Sequence, residues 1–401
     1  MELSHRITHL TAGGFDGWEL FYRARAMVAR GEPVIELTIG EHDIRTDPAI
    51  LEAMDASAKG GHTGYAIVPG IDSLRDTVAA RVSERTGVPT TRANVMITPG
   101  GQAALFAAHH ATCDEGSRAL FIDPYYATYP GTIGGVGAIP VPVAAHPEHA
   151  FQPRAEDIAE KAQGARALLI NTPNNPTGVV YSRETLDGIA RVCIDNDLWL
   201  ISDEVYDTQV WEGEHLSPRA LPNMAKRTLV VGSMSKSHAM TGSRCGWIVG
   251  PEAAISHLIN LATHTTYGVP GYIQDAAVFA LTAGDELEQR IAEPFRRRRA
   301  LAQEIVANHN SIGLVPAQGA MYCMLDIRAT GLSGLEFADA LLVTEKIAVM
   351  PGESFGSAAA GHVRVALTVD DDRLTDALKR ICALAESFAG EGWAPLQRGG
   401  E

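Results

Sequence analysis

Between about residue 95 and residue 250 the chain repeats short, continuously apolar runs, at 94–98, 119–122, 167–170, 198–202, 228–232 and 246–249. Apolar character that is continuous rather than alternating marks strands covered on both faces. Helix-like stretches separate several of them, among them 102–112 and 183–196. Alternation of this kind predicts a mostly parallel α/β sheet flanked by helices. Beyond residue 286 the pattern changes. A charged helical stretch over 286–309, with four consecutive arginines at 296–299, precedes shorter strand-like pieces and a helix near 371–388. The expected organisation is an N-terminal segment over 1–44 packing with the smaller domain, a large domain over 45–285 built on a seven-stranded type of sheet, and a smaller α+β domain over 286–401. The polar tail 397–401 is expected to fray.

Charge narrows the possible partners. Lys and Arg number 33 against 48 Asp and Glu in 401 residues, a net charge of −15, which disfavours nucleic acid and anionic membrane. The five cysteines, Cys113, Cys193, Cys245, Cys323 and Cys382, are odd in number and widely spaced without a CxxC, which argues against a disulfide scaffold or zinc ribbon. No apolar run reaches 18 residues, and the first ten residues lack the basic-then-apolar profile of a secretory signal. A reduced, cytoplasmic protein is expected. His109-His110 and His146-Pro147-Glu148-His149 have no further ligands nearby in sequence, and Pro147 spoils a helical spacing, so no metal is expected.

In a parallel sheet, chemistry belongs at the carboxyl ends of the strands, and the unusual residues stand there. Pro99-Gly100-Gly101-Gln102 follows the first apolar run and leads into a helix; it is a tight turn or, because free N–H groups and the helix dipole favour phosphate, an anion site. The run 167–170 is followed by Asn171-Thr172-Pro173-Asn174-Asn175-Pro176-Thr177-Gly178, where an X-Pro bond is also the usual place for a cis peptide. Asp203, Glu204 and Tyr206 follow 198–202, and Asp203 reads either as a helix cap or as a catalytic group. Lys236 follows 228–232, flanked by Ser233, Ser235 and Ser237 with Arg244 eight residues on. A lysine beyond a buried strand lies where solvated lysines seldom lie. Four such ends together predict a site.

These residues carry a resemblance. Asn-Pro-Thr-Gly at 175–178, Ser-Asp-Glu-Val-Tyr at 202–206 and the segment 233–247 around Lys236 and Arg244 resemble the class I/II aminotransferases, fold-type I enzymes that use pyridoxal 5′-phosphate. Outlying pieces agree in order and spacing: Gly64-Tyr65 with Gly70, Pro124-Tyr125-Tyr126, Val349 to Gly356, and Val363-Arg364-Val365. The resemblance spans roughly residues 35 to 370. It implies transfer of an amino group between an α-amino acid and a 2-oxo acid such as 2-oxoglutarate, by a ping-pong mechanism. An elimination enzyme of the C–S β-lyase type is the alternative on the same fold.

The resemblance also implies roles. Lys236 would join the cofactor aldehyde as a Schiff base and later move the substrate Cα proton. Asp203 would pair with the pyridinium nitrogen, while Tyr206 and Asn175 would bond the ring oxygen. The phosphate would meet Arg244, Ser233, Ser235, and the Gly100-Gly101-Gln102 turn through the amides of Gly101 and Gln102. Tyr126 would stack on the ring, and Arg364 would clamp the substrate α-carboxylate. Gly40 belongs to the segment that closes over substrate. Tyr65 reaches the phosphate of a neighbouring subunit in this family, which implies a homodimer with shared sites.

Departures from the family pattern touch the substrate region. Gln102 stands where relatives often carry a hydroxyl or lysine, and Glu41-His42-Asp43-Ile44-Arg45 replaces the more usual Glu-Pro-Asp-Phe. Other classes fit poorly. Ser233 to Lys236 forms Ser-x-x-Lys, but the Ser-Asp-Asn and Lys-Thr-Gly partners of a β-lactamase are absent. The glycines near 135–140 lack the third glycine of a dinucleotide fingerprint. A second cation for a dicarboxylate substrate would have to be Arg45, which Asp43 and Asp47 flank and are placed to neutralise. Phe15, Trp18 and Tyr126 supply aromatic surface, so a neutral or aromatic donor is expected.

Overall fold

The computed structural model describes residues 1–10 and 18–390; Phe15 and the tail 397–401 lie outside the described residues. Seven strands form the large sheet: β1 Val95–Thr98, β2 Arg118–Asp123, β3 Ile139–Ala144, β4 Ala165–Asn171, β5 Trp199–Asp203, β6 Thr228–Ser233 and β7 Gly246–Val249. Their order across the sheet is β1-β7-β6-β5-β4-β2-β3. Neighbours from β6 through β3 pair in parallel, and β7 alone runs against both of its neighbours. The fold is α/β with a mostly parallel central sheet.

The continuous apolar runs are explained by burial on both faces. Leu120, Ile122, Leu168, Ile170 and Leu200 face one core, and Ala119, Phe121, Ala167, Leu169 and Ile201 face another. Each Leu or Ile so buried contributes roughly 1.5–3 kcal/mol. β3 is the strand that the hydrophobic pattern does not announce. Its sequence Ile-Pro-Val-Pro-Val-Ala carries Pro140 and Pro142, and it sits at the sheet edge paired only with β2. Proline cannot donate to a ladder, so an edge is where such a strand is tolerated.

A second, antiparallel sheet is built from β8 Gly313–Leu314, β9 Tyr322–Asp326, β10 Met350–Pro351 and β11 His362–Ala366, in the order β10-β11-β9-β8. Helix Trp18–Ala29 adds Leu20, Ala24 and Met27 to the core beneath this sheet, beside Phe337, Leu341 and Ile381. Strand Ile35–Glu36 pairs in parallel with Ile347–Ala348. Helix Glu286–Val306 joins the same core through Ile291, Phe295 and Ala302. Its arginine run is not a uniformly solvated face. Arg296 and Arg297 are exposed, whereas Arg298 and Arg299 are buried and pair with Asp43, Asp371 and Glu212. All five cysteines are buried free thiols. No helix among the described residues is long and apolar enough to cross a membrane.

Candidate active site

The carboxyl ends of β4, β5 and β6 and the start of helix Gly101–Thr112 form one wall of a cavity of ≈ 280 Å³. Tyr322 and Arg364 of the antiparallel sheet form the other, and Ile39-Gly40 crosses between them. The crossing strap is tied to both sides. The Arg364 guanidinium donates to the Thr38 carbonyl and Thr368 Oγ1 to that of Ile39 at 3.1 Å, while Thr46 Oγ1 donates to the Ala239 carbonyl at 2.6 Å.

Lys236 lies in the single helical turn Met234–Ser237, which starts where β6 ends; Ser233 caps it by accepting from Ser235 N at 3.1 Å. Its ammonium donates to the Gly40 carbonyl, and its own carbonyl accepts from His42 Nε2 at 3.0 Å and Gln209 Nε2 at 3.1 Å.

Asp203 closes β5 at the floor of the cavity and is 4 % exposed. Burial pushes its carboxyl up to about 6, against the opposing pull of Tyr129 and the Val205 amide. Tyr129 Oη donates to Asp203 Oδ2 at 2.7 Å, and Asn171 Nδ2 holds the Asp203 carbonyl at 2.9 Å. An unpaired carboxylate at that depth favours a cation above it.

A cradle for an anion stands opposite. Gly100 is the N-cap of helix Gly101–Thr112 and has no side chain to occupy the free amides. Its φ of 79° favours glycine, and the Arg244 guanidinium fills the space a Cβ would take, its Nη2 2.2 Å from that point. Ser233, Ser235 and Arg244 line the same end of the cavity. The Gln102 side chain turns away to Thr132 at 2.6 Å and Thr128 at 3.0 Å, leaving its backbone at the helix start.

Arg364 is 5 % exposed, with its guanidinium between the rings of Tyr322 and Phe355, each at 4.4 Å. It donates to Asn175 Oδ1 at 2.8 Å, and its Nε is buried without a partner. No carboxylate of the described residues pairs with it. Tyr322 Oη sits 3.1 Å from Tyr206 Oη, and burial raises the Tyr206 phenol well above its ordinary range. A Cβ on Gly40 would fall 1.7 Å from Tyr322 Oη, so glycine is the residue that lets the strap pass. Tyr126 lines the cavity edge-on to Tyr129.

The cavity thus gathers Gly40, Gly101, Gln102, Tyr126, Asn175, Asp203, Tyr206, Ser233, Ser235, Lys236, Arg244 and Arg364. Tyr65 is not among them: it is 96 % exposed and leans on Tyr267, ring centroids 5.7 Å apart. Arg45 is exposed and lines a separate cleft. Asp43 and Asp47 do not neutralise it, as they pair with Arg298 and Arg290. The cis bond of the asparagine turn is Thr172–Pro173 rather than Asn175–Pro176. Tyr129, Tyr322 and Gln209 carry no motif that singles them out, since their partners lie across the fold, and His42 is marked in the sequence only as part of a segment that departs from the family pattern.

The sequence profile of the aminotransferase class I and II family matches residues 32–381. The chain belongs to this family. An arginine–pyruvate transaminase from Pseudomonas aeruginosa is 40 % identical over 98 % of this chain and 100 % of its own length. A crystallised Thermus thermophilus aspartate aminotransferase mutant superposes with a TM-score of 0.90 at 31 % identity, over 96 % of this chain and 100 % of that one. An aromatic aminotransferase from Pyrococcus horikoshii gives 0.84 at 29 %, over 91 % and 99 %. The protein is therefore a pyridoxal-phosphate-dependent aminotransferase, acting on amino acid and 2-oxo acid substrates. The chemistry of the donor set fits the cofactor: a buried carboxylate, a helix start without a side-chain cap beside an arginine, and a lysine meet at one cavity.

Proposed function

We propose that this aminotransferase moves the amino group of a neutral or aromatic α-amino acid to a 2-oxo acid in a ping-pong cycle, as a homodimer with shared sites. The observation that carries the substrate reading is Arg364, a buried guanidinium with no carboxylate partner among the described residues, on the same cavity as Lys236. Its planar fork suits an α-carboxylate bidentately. The cofactor supplies an electron sink for the substrate Cα. Asp203 would pair with the ring nitrogen and keep it protonated. Tyr206 and Asn175 would bond the ring oxygen, and Tyr126 would stack on the ring. Ser233, Ser235, Arg244 and the Gly100–Gln102 turn would hold the phosphate. Lys236 would attach the cofactor, and its amine, once freed, would take the proton from the substrate Cα and hold it for return.

Among the described residues, no acid apart from Asp203 lines the cavity, and the one guanidinium there besides Arg364 is that of Arg244. A distal carboxylate finds no partner there. Trp18, Tyr126 and Tyr322 instead supply aromatic surface. A second reading, arginine as donor and pyruvate as acceptor, is favoured by the 40 % identity to the Pseudomonas enzyme. Kinetics with aspartate, alanine, phenylalanine, methionine and arginine discriminate. A kcat/KM for aspartate tenfold above the others, about 1.4 kcal/mol in transition-state binding, overturns the neutral-donor reading; a comparable lead for arginine selects the second.

Adding donor alone should release one equivalent of 2-oxo acid per site and stop. Continuous ammonia and pyruvate from a cysteine-type substrate would instead mark elimination. Borohydride treatment of the loaded enzyme should fix the cofactor on the Lys236 peptide, and a label elsewhere sinks that role. Mixing Tyr65→Phe and Lys236→Ala proteins tests sharing, because hybrid dimers should hold one site with both residues intact. A fully active monomer in sedimentation would refute it.

A further inference from the structure

We propose that His42 is a positioning residue for Lys236: with Gln209 it pins the lysine's backbone carbonyl, so that only the side chain swings during proton transfer. The proposal rests on the reading of Lys236 as the reactive amine.

Met234–Ser237 is one helical turn, too short to satisfy its own last carbonyls. The Lys236 carbonyl receives two donors from elsewhere in the fold, His42 Nε2 at 3.0 Å and Gln209 Nε2 at 3.1 Å. A carbonyl only accepts, so Nε2 carries the hydrogen and Nδ1 is the bare nitrogen. Burial, and then the nearby Lys236 charge, hold His42 down at about 3, so the imidazole stays neutral. Its Nδ1 and Gln209 Oε1 are both buried without a partner. Two side chains that each leave a polar atom unpaired in the interior, while both serving one carbonyl, are better explained by what that carbonyl positions than by fold stability.

The strap makes the arrangement stiff. Gly40 O takes the Lys236 ammonium and His42 takes the backbone of the same residue, so segment 40–42 touches Lys236 at two points. The His42 ring packs edge-on to Phe295 at 5.4 Å. Asp43, the next residue, is gripped by Arg298 through two contacts of 2.8 and 2.6 Å. The clamp is therefore anchored to helix Glu286–Val306. His42 stands where the family pattern more usually has proline, which offers no side-chain donor. A lysine acts through a flexible four-carbon stem, so drift of its Cα is carried to Nζ, and a misplacement of about 1 Å can cost on the order of 100-fold in rate.

His42→Phe keeps the ring against Phe295 and removes the donor; His42→Gln restores a donor. In the holoenzyme, His42→Phe should lower kcat about tenfold, within the range a sub-ångström misplacement gives, and leave the donor KM within about twofold. It should also raise the primary isotope effect with Cα-deuterated donor. Amide hydrogen exchange should speed up in the peptide spanning 234–239 and not across the large sheet. His42→Gln should recover most of both signals, and Gln209→Leu should move them in the same sense. A wild-type isotope effect and wild-type exchange at 234–239 in His42→Phe, or a rise in KM that matches the fall in kcat, overturns the proposal. If His42→Phe does not fold, a wild-type isotope effect in Gln209→Leu overturns it equally. Full activity of Lys236→Ala would instead sink the reading of Lys236 itself, whereas a dead Lys236→Ala beside a silent His42→Phe sinks only the clamp.

Discussion

Asp203→Asn should make the cofactor-free protein more stable at neutral pH while weakening its hold on the cofactor. In the folded chain the Asp203 carboxyl is displaced from its ordinary 3.8 up to about 6, because burial removes water and the Tyr129 and Val205 donors only partly replace it. The folded state therefore prefers the proton. Stability from this group is fully present below about pH 4 and is lost as pH rises through about 6. At 1.36 kcal/mol per pH unit, the cost of holding the bare carboxylate at pH 8 is about 3 kcal/mol. Asparagine does not titrate, and its oxygen still accepts from Tyr129. Its stability advantage over the wild type should then grow by about 2 kcal/mol between pH 4 and pH 8. Urea unfolding of the two cofactor-free proteins at several pH values measures that growth. A difference that stays flat over the range would refute the account of Asp203 as an unpaired buried carboxylate. With cofactor present the order should reverse, since the ring cation offsets the cost for Asp203 and not for Asn.

Arg364→Lys replaces a two-pronged donor by a point charge, so kcat/KM for the amino donor should fall about 100-fold, near 3 kcal/mol for a charge-assisted pair; a change within threefold refutes the carboxylate role. Gly40→Ala puts a methyl group against Tyr322 Oη and should destabilise by about 1–3 kcal/mol as overpacking does, seen as a lower urea midpoint. An unchanged midpoint would mean that the strap does not sit against Tyr322. Burial pushes Cys193, Cys245 and Cys323 up to about 12, so native protein should resist maleimide and denatured protein should label at all five thiols; rapid native labelling contradicts the buried core.

The two-faced strands were legible because complete burial leaves its mark locally, as in 228–232 and 246–249. Strand β3 was not, since Pro140 and Pro142 violate the strand pattern and are excused only by an edge that the sheet order creates. The arginine run at 296–299 is four like charges in sequence, yet helical spacing turns Arg298 and Arg299 inward, to Asp43, Asp371 and Glu212 on distant segments. Arg45 shows the opposite error of proximity: Asp43 and Asp47 flank it in sequence and pair elsewhere in space.

By itself the sequence determined the alternation of strands and helices, the clustering of chemistry at strand ends, and the family, because each is written in residues close together along the chain. Only the tertiary structure decided that β7 runs backwards, that Tyr129 supports Asp203, that Tyr322 and Phe355 sandwich Arg364, and that His42 meets Lys236. Those depend on which distant segments pack together. Hydrogen bonds and ring contacts act over a few ångströms of space, whatever the separation along the chain, and local pattern carries no record of them.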